Sequence, residues 1–138
     1  MDSIRPLRPL VLVVDNRHDT AVSLARLLER WGFQPVVAYD GPAALAAALA
    51  QPPAAVLLGI DLPGLDGCEV ARRLRTMPGT ARALLIALSG YGREGDVRRC
   101  YEAGFDRHFV KPPDPEEIHR ALECRLEALA VSAVDCSP

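Results

Sequence analysis

The sequence predicts an α/β fold in which one five-stranded parallel sheet is covered by helices on both faces, and three observations carry that prediction. Short continuous apolar runs alternate with segments whose apolar residues recur at helical spacing, and the order begins with a strand. Runs such as Leu10 to Val14 and Ala54 to Leu58 have no alternating polar positions, the pattern of strands buried on both faces. A chain of 138 residues has room for one domain of ordinary size, with a core that needs neither disulfides nor a structural metal.

Taken in order, Leu10 to Val14 is the first strand, ended by the polar run Asp15 to Asp19. Val22, Leu24, Ala25, Leu27, Leu28 and Trp31 mark the first helix, with Asp19 as its expected N-cap and Gly32 as its stop. Pro35 to Ala38 is the second strand. Asp40-Gly41-Pro42 opens an alanine-rich helix over Ala43 to Ala50, and Pro52-Pro53 ends that stretch. Ala54 to Leu58 belongs at the centre of the sheet, with position 59 at its C-terminal edge. After a turn-rich loop, Cys68 to Thr76 forms a helix facing inward through Val70, Ala71 and Leu74, while Arg72, Arg73 and Arg75 are expected to point mostly to water. Ala83 to Leu88 is the fourth strand and Glu94 to Ala103 a helix stopped by Gly104. Arg107 to Val110 is the fifth strand. Asp114 and Pro115 start a last helix with Ile118, Ala121, Leu122, Leu126 and Leu129 as its buried stripe.

Five such units with right-handed crossovers form a doubly wound, flavodoxin-like (βα)5 sheet of order 2-1-3-4-5. The expected division is an N-terminal extension over 1–8, one domain over 9–130 and a frayed, disordered tail over 131–138.

Composition narrows the function. Sixteen basic and eighteen acidic residues leave a formal net charge of −2, which provides no field for nucleic acid or anionic lipid. No apolar run approaches the length that crosses a bilayer, and an acidic residue follows Met1 where a secretion signal is basic, so a cytoplasmic location is expected. Cys68, Cys100, Cys124 and Cys136 form no CxxC pair and share no metal-ligand spacing with His18, His108 or His119. They read as free thiols.

In an open α/β sheet the functional crevice lies beyond the C-terminal strand ends, where the strand order reverses. That places Asp15 and Asn16, Gly59 to Asp61, Ser89 and Lys111 together. Lys111 stands out by composition, because every other basic residue of the chain is arginine. A lone ammonium before Pro112 at a strand end suits a phosphate or a carboxylate cluster.

At these residues the chain resembles the bacterial response-regulator receiver domains of two-component signalling. VLVVDNRHD is similar to the first-strand acidic motif, LLGIDLPGLDG to the acceptor motif, ALSGYG to the fourth-strand Ser/Thr motif and AGFDRHFVKP to the lysine-proline motif. The motifs occur in order over roughly residues 9 to 128. The resemblance implies an aspartate at the end of the third strand that takes a phosphoryl group from a histidine kinase. It also implies a pair of acids holding Mg²⁺, and a Ser/Thr and a Lys that contact the phosphoryl oxygens. It further implies a switch in which the Ser/Thr moves while an aromatic ring on the fifth strand turns, repacking the face of the fourth helix, fifth strand and fifth helix.

Two positions depart from the pattern. Gly59 stands where the acceptor aspartate is expected, and Asn16 where the second metal-binding acid is expected. Glycine offers no nucleophile, and a pocket short of two carboxylates is expected to bind Mg²⁺ weakly or not at all, with Asp15 as its one remaining metal residue. Asp15 is expected to pair with Lys111 instead. Asp61, two residues past Gly59, is the candidate substitute acceptor, although a turn residue before Leu62-Pro63 is much the better explanation of it. Ser89 keeps the switch hydroxyl, His108 takes the aromatic position, and Tyr91 joins them on the contact face.

The expected function is therefore that of an atypical pseudo-receiver. It is a non-enzymatic signalling module that is not phosphorylated at the usual site, carries no cofactor, and acts by protein contact. Its implied partners are a histidine kinase, a phosphotransfer protein or an output protein, with a homodimer through the fourth-helix, fifth-strand and fifth-helix face as a further implication. With no output segment expected after the last helix, its effect passes to another protein or through self-association. The alternative is a working phospho-acceptor that uses Asp61 or another carboxylate with Mg²⁺. A third reading, a deliberate Gly59 replacement that locks a working receiver off, is weighed down by the second loss at Asn16.

Overall fold

The computed structural model describes the backbone of residues 8–90 and 94–134, and the side chains of those residues apart from 94–96 and 126–134. Strands and helices alternate: β1 (Leu10–Val14), α1 (His18–Arg30), β2 (Gln34–Ala38), α2 (Gly41–Ala50), β3 (Ala55–Gly59), α3 (Gly67–Thr76), β4 (Leu84–Ser89), α4 (Glu94–Ala103), β5 (Arg107–Val110) and α5 (Pro115–Val134). All strand pairs are parallel and their order is β2-β1-β3-β4-β5, the predicted topology.

Strand periodicity divides the core into two layers. Leu12, Val14, Val56, Leu58, Leu85 and Ala87 pack with Ala44 and Ala48 of α2, Val70 and Leu74 of α3 and Ala103 of α4. Val11, Val13, Leu57, Ile86 and Leu88 pack on the opposite face with Ala21, Leu24 and Leu28 of α1 and Ile118 and Leu122 of α5. Every residue of β3 and β4 is buried, which is why these runs lack a polar face. Each fully buried leucine contributes about 2 kcal/mol of transfer free energy.

Local signals set most helix starts. Asp40 Oδ1 accepts the Ala43 N–H at 2.7 Å and Asp66 Oδ1 the Glu69 N–H at 2.9 Å, satisfying donors at the first turns of α2 and α3. Asp114 Oδ1 accepts from the Glu116 N–H at 3.0 Å at the start of α5. The first helix departs from expectation. It begins at His18 with Arg17 at the N-cap and no side-chain cap, so Asp19 lies inside the first turn. The cause is Asp15, whose Oδ1 accepts the Arg17 N–H at 2.9 Å and turns the chain into the helix before Asp19 is reached.

Arg75 also departs from expectation, because it does not face water. Its Nε and Nη2 donate to the Gly104 carbonyl at 2.9 and 2.7 Å, its Nη1 to the Ala81 and Ala83 carbonyls at 3.0 and 2.7 Å, and its Nη2 to Asp106 Oδ2 at 2.8 Å. Gly104, at φ 111°, turns the chain after α4 so that its carbonyl meets the end of α3. Helical periodicity within residues 67 to 76 carries no information about that neighbour.

The last helix is helical through Val134, whereas the sequence predicts a tail from residue 131. No proline or glycine stands between Pro115 and Val134 to stop it. The side chains of Leu126 and Leu129, assigned to the buried stripe, lie outside the described residues.

Candidate functional site

Strand order brings the site together. The sheet reverses direction of addition between β1 and β3, and residues beyond their C-terminal ends share one crevice. Val14 pairs with Leu58, Gly59 with Leu88 and Ser89 with Val110, so Asp15, Gly59, Ser89 and Lys111 follow one another across the sheet edge. The Lys111 N–H donates to the Ser89 carbonyl at 2.7 Å, extending the β4–β5 ladder to the lysine itself.

Asp15 is buried, with 1% of its surface exposed, and both of its oxygens are engaged. Oδ1 accepts from the Arg17 N–H, and Oδ2 accepts from Lys111 Nζ at 2.7 Å. Lys111 keeps 27% of its side chain exposed, so the ammonium reaches in from the rim. This is the contact the sequence reading anticipates, made across 96 residues of chain.

Gly59 ends β3 directly beside that pair. A Cβ built there stands 3.3 Å from the Val14 carbonyl oxygen and 3.6 Å from Asp15 Oδ2, so position 59 points toward the Asp15 carboxylate, and a side chain there needs the Val14 carbonyl to give by a few tenths of an ångström. The loop to α3 folds tightly onto it. The Gly67 N–H donates to the Ile60 carbonyl at 3.0 Å, and a Cβ at Gly67 would collide with the Gly59 carbonyl, which is why α3 starts with glycine.

Ser89 is 4% exposed, and its Oγ lies 2.8 Å from Nε2 of His108, two strand-ladder steps away on β5. The half-buried His108 ring therefore holds the buried hydroxyl directly. Tyr91, the remaining predicted contact residue, lies outside the described residues.

Next to these pairs opens a cleft of about 530 Å³ lined by Asn16, Asp61, Asp66, Ser89, Arg99 and Cys100 over Ile60, Leu62 and Pro63. Asn16 and Asp61 are exposed at its wall, and Asp15 and Lys111 are not part of its lining. The predicted residues thus fall into two groups: a closed ion pair beside Gly59, and an open cleft reaching from Asn16 and Asp61 past Ser89 to α4. Sequence reasoning missed Arg99 and Cys100. Cys100 carries a faint signal as an inward position of α4, but nothing local to Arg99 marks it, since the docking of α4 alone brings it there. Among the described residues no three His, Cys, Asp or Glu side chains are arranged to hold a metal. No described helix is long and apolar enough to cross a membrane.

The sequence profile of the response regulator receiver domain matches residues 11–123. The chain is 30% identical over 113 residues to sporulation initiation phosphotransferase F of Bacillus subtilis, covering 82% of this chain and 90% of that protein. It is 39% identical over 129 residues to the transcriptional regulatory protein PrrA of Mycobacterium tuberculosis, covering 94% of this chain but only 54% of that longer protein. Among solved structures, the receiver domain of the sensor histidine kinase PA1611 of Pseudomonas aeruginosa, with a magnesium ion in its active-site cleft, superposes with a TM-score of 0.78. It is 27% identical, over 85% of this chain and 96% of that one.

Proposed function

The chain belongs to the response regulator receiver domain family of two-component signalling, and from that premise we propose that it is a pseudo-receiver, which transmits by protein contact without taking a phosphoryl group at the end of β3. One observation carries the reading. At the position facing Asp15 there is only glycine, and the charge of Lys111 is already spent on Asp15 at 2.7 Å. An aspartyl-phosphate needs a carboxylate nucleophile, and the transferring group needs a cation and fixed donors to offset its charge. Here the nucleophile is missing and the nearest ammonium is held by a buried anion.

The residues present do not suit Mg²⁺ either. That ion favours carboxylates in a near-octahedral shell, whereas both Asp15 oxygens are occupied and its neighbours are Asn16 and Gly59. The magnesium-bound relative keeps its ion; this chain functions without one.

The output face is that of α4, β5 and α5, offered to a histidine kinase, a phosphotransfer protein or an output protein. Its support is the Ser89–His108 contact, which joins the end of β4 to β5 without any phosphoryl group between them. A hydroxyl held at 2.8 Å gives the face one standing conformation in place of a switched one.

Intact-mass analysis after incubation with a small-molecule phosphodonor and Mg²⁺ tests the proposal. The expected result is unmodified protein. A stoichiometric phosphoryl adduct, above all one mapping to the exposed Asp61 on the cleft wall, would overturn it and establish the chain as a working acceptor.

A further inference from the structure

Strand β5 is the one strand of the sheet that buries none of its own residues. It lies at the sheet edge, paired only with β4, and of its four residues Arg107 and Val110 are exposed while His108 and Phe109 are half-buried. Each of the other four strands buries at least one residue, and β3 and β4 bury all of theirs. Register is strongly specified where a strand buries one face and weakly specified where it does not. Yet the register of β5 shapes the α4, β5 and α5 face. His108 stands opposite Ala87, and from there its Nε2 reaches Ser89 Oγ at 2.8 Å. A slip of one residue would carry the ring to the other side of the sheet.

The register is gripped from just outside the strand, at Asp106. Its backbone N–H donates to the Leu85 carbonyl at 2.8 Å, and its Oδ2 accepts the Leu85 N–H at 2.9 Å, so backbone and carboxylate together hold one residue of β4. The same oxygen accepts from Arg75 Nη2 of α3 at 2.8 Å, and Arg125 Nη1 of α5 lies 3.8 Å from it. Both arginines are anchored in turn. Arg75 donates to the Gly104, Ala81 and Ala83 carbonyls, and Arg125 Nη2 donates to the Arg82 carbonyl at 2.8 Å. Three elements, α3, β4 and α5, therefore converge on one carboxylate immediately before β5. A guanidinium presents its donors in a rigid fork, so Arg75 fixes the carboxylate in direction as well as in distance.

We propose that Asp106, oriented by Arg75, is the positioning residue of this face: it sets the register of β5 and, through it, the contact of His108 with Ser89. That the face is the output surface rests on the pseudo-receiver reading. The positioning does not, because none of these contacts involves Gly59 or the Asp15–Lys111 pair. A carboxylate that only added stability would act on the fold as a whole. One that sets register acts at the far end of the strand, on His108 and on the Lys111 N–H that donates to the Ser89 carbonyl.

Solution NMR of the full chain tests this, with the His108 ring signals and hydrogen exchange of the Lys111 amide as reporters. In Asp106→Ala the ring signals are expected to move, and the Lys111 amide to exchange about tenfold faster relative to the β1 and β3 amides. Asp106→Asn keeps an oxygen for the Leu85 N–H and for Arg75, and is expected to restore both readouts. Arg75→Lys keeps the charge without the fork, and is expected to move the His108 signals in the same direction by a smaller amount; it carries the test if Asp106→Ala does not fold. Leu24→Ala, in the α1 side of the core, is the control for lost stability alone and is expected to speed exchange evenly with the His108 signals in place. His108 and Lys111 unchanged in both Asp106→Ala and Arg75→Lys would overturn the proposal, since β5 would then hold its own register. Even acceleration of β1, β3 and Lys111 in Asp106→Ala, as in the control, would overturn it in favour of a purely stabilising role. A phosphoryl adduct in the mass experiment would overturn the pseudo-receiver reading and leave these readouts as they are.

Discussion

Replacing Lys111 with methionine isolates the interaction on which the functional reading depends. The substitution keeps an unbranched side chain of similar length along the rim and removes only the ammonium. Asp15 then keeps one donor, the Arg17 N–H, for a carboxylate that is 1% exposed. Breaking a buried ion pair from one side costs about 3–5 kcal/mol because the remaining charge is uncompensated. With 27% of the lysine side chain in solvent, water can enter the vacated place, and the expected loss falls to about 2–3 kcal/mol. For a domain of this size that lowers the thermal midpoint by roughly 8–12 °C. Asp15→Asn combined with Lys111→Met removes both charges, keeps the Asn oxygen on the Arg17 N–H, and should be less destabilised than Lys111→Met alone. Urea unfolding of the two single variants and the double closes the cycle. A Lys111→Met variant within 0.5 kcal/mol of wild type, or single-variant losses that simply add in the double, would show that the pair carries no coupling and would refute the argument.

Three further outcomes follow from particular contacts. Arg75→Ala should cost about 2–4 kcal/mol in urea unfolding, since it removes the side-chain donor to the Gly104 and Ala83 carbonyls and one of the donors to Asp106, which keeps the Leu85 N–H, whereas Arg72→Ala on the exposed face should cost under about 0.5 kcal/mol. Asp66→Ala and Asp40→Ala should each lose about 1 kcal/mol as true N-caps, while Asp19→Ala should lose only about 0.3–0.5 kcal/mol of helix-dipole interaction; equal losses at all three would contradict the cap assignment. Gly67→Ala should destabilise by more than about 2 kcal/mol because its Cβ meets the Gly59 carbonyl, whereas Gly59→Ala should stay within about 1 kcal/mol of wild type, as thermal melts of the two will report.

Much of the fold was legible because its signals are local and redundant. The five strands fall where continuous apolar runs occur, displaced by a residue at an end such as Ala55 or Ser89, since burial on both faces admits no polar residue. Asp40, Asp66 and Asp114 announce helix starts because a cap needs only a short side chain within three residues. Asp19 misled for the same reason: it is as good a cap by type, but Asp15, four residues earlier, had already closed the turn. Arg75 misled because its partners at residues 81 to 83 and 104 to 106 belong to other elements, and helical spacing reports only which face of α3 is apolar.

The site divides along the same line. Residue type alone determined that position 59 has no nucleophile, that position 16 has an amide for an acid, and that one lysine stands among fifteen arginines, for these need no coordinates. The Lys111–Asp15 pair was anticipated from the placement of the strand ends, and the tertiary structure set its geometry; only the tertiary structure decided that His108 holds Ser89 and that Arg99 and Cys100 line the cleft from α4. Such contacts span 19 to 96 residues of chain and depend on strand register and helix docking to within a few tenths of an ångström. Those quantities follow from how the whole core packs, and no short window of sequence contains them.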